Sequence, residues 1–194
     1  MTAVDAVNAP VVRVRRLDRV GDAEVRALAE VLVDVVAGDG SVSFMHPLDP
    51  ARAEAFWRSV ADGVARGERA LLVAEEQVGD PDGPDGGWQV VGSVHLVLAL
   101  PENQPHRADV TKLVVHRRAR RRGVATRLMT ALEDVARDCG RSVLVLDTET
   151  GAPAETLYAG LGWRRVGVVP DFALRPHGGL AATTFFYKRL DAAE

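Results

Sequence analysis

Cysteine, lysine and aromatic residues are scarce in this chain. The one cysteine in 194 residues is Cys139, so no internal disulfide framework can form. It lies beside Gly140, near the end of a helix read below, with no base next to it. That context fits a core or boundary residue better than a nucleophile. Only Lys112 and Lys188 are lysines; every other basic residue is arginine. The formal net charge is -3, which argues against the chain as a whole being drawn to nucleic acid. No stretch approaches the ~18 apolar residues of a membrane span, and the N-terminus lacks the apolar core of a secretory signal. The expectation is a cytoplasmic protein with no membrane partner. His46, His116 and His177 show no metal-ligand spacing, and the acids of the polar stretch Gly79 to Gly87 do not match a calcium loop, so no metal is expected.

Apolar residues make up 47% of the sequence, an ordinary share for a chain that buries a core. Residues 1–10 read as a mobile lead and 11–194 as one domain. Val11 to Leu17 alternates as a strand. Asp22 is placed to cap a helix with Val25, Leu28, Leu32 and Val35 on one face, closed by Gly38 to Gly40. Asp49-Pro50 reads as a cap and first-turn proline before a helix that buries Ala53, Phe56, Trp57, Val60 and Val64. Strands follow over Arg69 to Glu75, Val90 to Leu100 and Ala108 to Val115, the first two joined by the polar turn. A helix carries Val124, Leu128, Leu132 and Val135 and ends at Gly140. Val143 to Leu146 is a short apolar run suited to a central strand. Pro153 opens a short helix, and Trp163 to Val169 and Thr183 to Lys188 are the last strands. The order β-α-α-β-β-β-α-β-α-β-β implies an α/β (α+β) fold with a mixed sheet of about seven strands and about four helices. No internal repeat is present.

The most informative run is Leu113 to Ala125, a buried strand followed by an arginine-rich turn and the start of a helix. Five arginines fall within six residues, from Arg117 to Arg122. Unpaired N–H groups and the helix dipole make a helix start an anion site. Gly123 has no Cβ and lets the backbone approach a bulky anion. The arginines add forked donors for phosphate oxygens. A solvated basic patch or a nucleic-acid contact is the competing reading. The run matches neither the dinucleotide fingerprint nor the P-loop.

Element order and motif together resemble the GCN5-related N-acetyltransferase (GNAT) superfamily. Its hallmark, Gln/Arg-x-x-Gly-x-Gly/Ala, is filled by Arg120, Gly123 and Ala125. A second hallmark, a late tyrosine before a Gly-aromatic pair, appears as Tyr158 ahead of Gly162-Trp163. Phe56-Trp57, Asn103 to Arg107, Leu146 to Gly151 and Thr183 to Lys188 look like the tabtoxin-resistance type of acetyltransferase, which acetylates an amino-acid-like antibiotic.

The resemblance implies acetyl-CoA as cosubstrate and a small-molecule amine as acceptor, in a monomer or homodimer. It implies a β-bulge that splays the strand before the arginine turn, so that Leu113, Val114 and Val115 line the pantetheine arm. Arg120, Arg121, Arg122, Gly123, Val124, Ala125 and Thr126 would hold the pyrophosphate, with Arg117 and Arg118 near the outer phosphates. Tyr158 matches the proton donor to the departing thiolate; a packed aromatic is the alternative. The glutamate that many relatives carry as base is replaced by Thr111 and Lys112. Asp147, read as the end of a buried strand where desolvation would raise its pKa, is the substitute base; a turn-capping aspartate is the alternative. Phe44, Trp57, Asn103 and His106 are the acceptor-binding candidates. His106 also has the ordinary pKa of a base. Three other functions compete: a protein or peptide N-acetyltransferase, a non-catalytic acyl-CoA sensor, and a nucleic-acid binder.

Overall fold

The computed structural model describes residues 11–79 and 87–190. The lead 1–10 and most of the polar turn, residues 80–86, lie outside the described residues. The strands are β1 (Val12–Leu17), β2 (Arg69–Val78), β3 (Gly87–Val97), β4 (Arg107–Val115), β5 (Val143–Glu149), β6 (Arg164–Leu174) and β7 (Leu180–Arg189). The α-helices among the described residues are α1 (Asp22–Ala37), α2 (Pro50–Ala65), α3 (Val124–Asp138) and α4 (Pro153–Gly160). The strands form one mixed sheet in the order β1-β2-β3-β4-β5-β7-β6. Every neighbour pair is antiparallel except β4–β5, which is parallel.

Alternation along the strands sends side chains to two layers. Leu71 and Val73 of β2 pack with Leu28, Leu32, Trp57 and Val60 of α1 and α2. Ala70, Leu72 and Ala74 pack with Leu128, Met129 and Leu132 of α3, and that layer continues through Leu144 to Tyr158, Trp163 and Phe186. The helical faces read from periodicity are the buried ones, with Val64, Phe56 and Val135 only half-buried.

Several boundaries differ from the sequence reading. Gly21, not Asp22, is the N-cap of α1, and its N–H is satisfied by the Glu24 carboxylate at 3.1 Å. β3 stops at Val97 because the Leu98 and Ala99 N–H groups turn to the Glu68 carbonyl, at 2.8 and 3.2 Å. β5 runs past Leu146 to Glu149, held by β7. β6 continues beyond Pro170 because the β6–β7 register shifts between Val169 and Ala173, a bulge that accommodates the missing proline N–H.

One buried carboxylate ties the sheet to α3 and another ties its first two strands together. The Lys188 Nζ of β7 donates to both Glu133 carboxylate oxygens of α3, at 2.6 and 2.7 Å, and to the Leu161 carbonyl at 2.7 Å. Glu75 of β2, 4% exposed, accepts from Arg13 at 2.8 Å and from Arg15 at 2.9 Å. Burial alone would raise the Glu75 pKa, but the two guanidiniums outweigh it and hold the carboxyl below its ordinary value of 4.5.

Removing one partner of a buried pair leaves an uncompensated charge. Lys188→Met is therefore expected to lower unfolding free energy by about 3–5 kcal/mol in urea titrations, with Glu133→Gln/Lys188→Met recovering part of the loss. Because the folded Glu75 pKa is depressed, its stabilisation is present above pH 4.5 and is lost as pH falls through the folded value. The stability gap between wild type and Glu75→Gln should narrow between neutral pH and pH ~3.

Candidate active site

Two features of β4 build the site. The first is its pairing. β4 bonds to β5 only over Arg107–Val143, Ala108–Leu144 and Asp109–Val145, so the two central strands part from Val110 onward. The second is a bulge against β3. Ser93 pairs with Val114 and His95 with Thr111, so three residue steps of β4 answer two of β3. Lys112 absorbs the surplus with φ +54°, a left-handed conformation that non-glycine residues adopt rarely. Gly92 allows the close strand approach here, since a Cβ would stand 2.8 Å from the Val114 carbonyl oxygen. Leu113, Val114 and Val115 therefore run along the edge of the parting.

At the C-terminal end of β4 the chain turns into α3. Arg121 has φ +62° and Gly123, the N-cap of α3, φ +75°. A Cβ on Gly123 would meet no atom within 4 Å, so the space over the helix start is open. The first helical bond runs from the Arg127 N–H to the Gly123 carbonyl at 3.0 Å. The N–H groups of Gly123, Val124, Ala125 and Thr126 have no partner among the described residues. These four donors, open space and a helix start fit a pyrophosphate.

The arginines divide by what they hold. Arg117 is bound to Asp34 of α1: its backbone N–H donates to Oδ2 at 2.9 Å, its Nη2 to the Asp34 carbonyl at 3.2 Å, and its Nε to Oδ1. Its side chain therefore pins the turn after β4 to α1. Arg120 Nε donates to the Val115 carbonyl at 3.1 Å. Arg122 Nη1 donates to both Glu76 carboxylate oxygens at 3.2 Å. Arg118 and Arg121 are exposed.

Below the parting lies a cavity of about 470 Å³. Its walls include Phe56 of α2, Arg69 of β2, His95 of β3, Thr111 and Lys112 of β4, Asp147 of β5 and Phe185 of β7. The α1–α2 loop closes one side. Lys112 Nζ donates to the Ser43 hydroxyl at 3.1 Å, and Phe44 packs edge-on against Phe56 at 5.3 Å. The same loop reaches the β6–β7 turn, where the His46 N–H donates to the Pro176 carbonyl at 2.9 Å.

Asp147 faces this cavity and is exposed to it. It lies within β5, opposite Phe185, and not at a strand end. The sequence argument that burial would desolvate it is therefore corrected: the cavity keeps the carboxylate open to solvent. The Thr183 hydroxyl lies 3.3 Å from Asp147 Oδ2 and 3.1 Å from the Thr148 carbonyl. Tyr158, in the last turn of α4, is 5% exposed and packed against Trp163 and Phe186. Burial pushes its hydroxyl pKa well above the ordinary value, and the Asp147 charge pushes it further. Asp147 and Tyr158 thus sit close enough to feel one another.

The acceptor candidates fare unequally. Phe44 borders the cavity through Phe56. Trp57 is fully buried beneath it, packed against His95 with ring centroids 6.1 Å apart. Asn103 and His106 are exposed in the loop before β4 and are not among the residues that line the cavity, which reaches the paired end of β4 through Arg107 and Asp109. Arg69 and Phe56 join the cavity without being among the acceptor candidates. The register offers a signal for Arg69: it pairs with Val97, and Leu71 pairs with His95, so Arg69 and His95 are diagonal neighbours on one face. Among the described residues no three His, Cys, Asp or Glu side chains gather to hold a metal ion, and no helix is long and apolar enough to cross a membrane.

The family model described as the acetyltransferase (GNAT) family matches residues 44–163. A curated relative from Azospirillum brasilense, named an uncharacterized N-acetyltransferase in the hisH-hisA intergenic region, is 34% identical over 140 residues. That span is 70% of this chain and 74% of the relative. The structure of yncA from Salmonella typhimurium with its cofactor acetyl-CoA superposes with a TM-score of 0.71 at 21% identity, over 96% of each chain. Ribosomal-protein-alanine N-acetyltransferase from Brucella melitensis gives a TM-score of 0.71 at 21% identity, over 93% of this chain and 99% of that one. A seven-stranded mixed sheet with a bulged, parted fourth strand, a family match over the site and a relative of this identity agree: the chain is an N-acetyltransferase and belongs to the GNAT family.

Proposed function

We propose that this enzyme transfers an acetyl group from acetyl-CoA to the primary amine of a small, amino-acid-like molecule, a class that includes toxins and antibiotics. The transfer is direct, within a ternary complex. The observation that carries the proposal is a side-chain-lined cavity beside the strand parting, with Asp147 on its wall and Tyr158 close behind. The tabtoxin-resistance likeness of the Phe56-Trp57 and Leu146 to Gly151 segments supports the same class of acceptor. The reading invokes no metal, nucleic acid or membrane partner.

Acetyl-CoA supplies a thioester carbonyl carbon open to attack by an amine. Leu113, Val114 and Val115 offer backbone groups along the arm, and an N–H here would polarise the carbonyl. Gly123 to Thr126 offer the unpaired donors of α3 to the pyrophosphate. Asp147 receives the proton that an ammonium must lose before its nitrogen has a lone pair. Thr183 orients that carboxylate. Tyr158 holds its proton at neutral pH and donates it to the departing thiolate. Asp147 on the cavity wall and Tyr158 buried behind it would also act through position.

A protein acceptor would need an open, acidic groove. The cavity instead presents Arg69, Lys112 and Arg107 alongside Asp109 and Asp147. The Brucella enzyme's likeness, at this identity, is one of fold.

Tyr158→Phe is expected to lower kcat by about 100-fold or more in a thiol-release assay, with acetyl-CoA affinity by calorimetry little changed. Asp147→Asn should lose turnover similarly at neutral pH. Wild-type-like rates in both variants would remove these residues from the chemistry.

A further inference from the structure

We infer that Arg69 and Lys112 form an anion clamp that binds the carboxylate, or an equivalent oxyanion, of the acceptor whose amine faces Asp147. The inference rests on the acetyltransferase reading and assigns the other end of the acceptor. Both cations line the cavity. Among the described residues neither forms an ion pair. Lys112 Nζ meets only the Ser43 and Thr111 hydroxyls, at 3.1 and 3.5 Å, and stands 5.6 Å from the Phe56 ring centre. Arg69 Nη1 donates to His95 Nε2 at 2.9 Å. Three other half-buried cations each hold a carboxylate, Arg107 on the same cavity wall with Asp109, Arg122 with Glu76 and Lys188 with Glu133, while half-buried Arg141 has only the Leu98 carbonyl at 3.4 Å. Two unmatched cations at a cavity wall are costly unless a ligand brings the counter-charge.

Arg69 is positioned by two devices. A guanidinium only donates, so His95 Nε2 accepts and its proton sits on Nδ1. Burial, then the charges of Arg69 and Lys112, push the His95 pKa down to about 3, so the ring stays neutral and leaves the positive charge to its neighbours. The second device is Gly63. It is buried inside α2, where glycine costs about 1 kcal/mol relative to alanine. A Cβ there would stand 2.8 Å from Arg69 Cδ. The glycine makes room for the arginine stem to pass under α2 and reach the cavity. Burial also lowers the Lys112 pKa; the Asp147 carboxylate opposes that shift and Arg69 reinforces it. The three charges are therefore near neighbours, two positive and one negative. That pattern complements a zwitterion, ammonium toward Asp147 and carboxylate toward Arg69 and Lys112.

The test compares L-amino acids, each with its own carboxamide, and simple amines without an acid group, at saturating acetyl-CoA with full-length protein. The carboxamides have less basic amines and lose their proton more readily, so chemistry alone favours them. The clamp predicts the reverse for the preferred side chain, an acid-over-amide ratio in kcat/KM of about 100-fold. Arg69→Gln should raise KM for the acid at least about tenfold and drive the ratio toward one, with acetyl-CoA affinity kept. Gly63→Ala retains both charges but displaces the Arg69 stem, and should reduce the ratio in a protein whose folding is verified by circular dichroism. Equal use of acids and amides, or an unchanged ratio in Arg69→Gln, overturns the clamp while leaving the acetyltransferase reading intact. Acetyl-CoA binding with no turnover of any amine overturns both.

Discussion

Three residue pairs, Arg107–Val143 to Asp109–Val145, are all that join β4 to β5. The rest of the site depends on that short seam. A parallel pair in the middle of a sheet ordinarily continues for the length of the shorter strand. Here the Lys112 bulge turns β4 away, and β5 finds its partner on the other side in β7. The backbone of β4 beyond Asp109 is left on an open edge inside the molecule, where an edge is otherwise a liability. One geometric event thus supplies the slot for a ligand arm, the cavity beneath it and the direction in which Asp147 faces.

Rigid anchors keep this opening from collapsing. Arg117 is locked to Asp34 of α1, which fixes the strand-to-helix turn before α3. Lys188 and Glu133 bind β7 to α3 on the other layer. Lys112 reaches the α1–α2 loop through Ser43, and that loop is fastened in turn to the β6–β7 turn through His46 and Pro176. Elements from both halves of the chain therefore frame one cavity. The scarcity of lysine has a structural side: both lysines stand at junctions, one in the bulge and one in the buried pair.

Local signals carried the fold in the sequence because each helix buries one stripe and each strand alternates. Strand ends were less legible. The strand read as Trp163 to Val169 runs on through a bulge to Leu174; β3 ends on a hydrogen bond to Glu68, a contact made far away in sequence. The phosphate-type turn was legible because Gly123 and the helix start are adjacent residues. The cavity was not. Its walls come from α2, β2, β3, β4, β5 and β7, and only the register sets Arg69 beside His95. The apolar run before Asp147 suggests burial, whereas the parting of the strands opens it to solvent. Asn103 and His106 stand out as a motif, yet both are exposed and neither lines the cavity.

The central claim is that the parted strand and the α3 start together hold acetyl-CoA. Amide hydrogen exchange with and without acetyl-CoA tests it most directly. The account predicts that the ligand slows exchange in two stretches, residues 110–115 of β4 and 123–126 at the head of α3, with little change along β1 or β6. Slowing confined to other segments, or none at all with acetyl-CoA in excess, would contradict it.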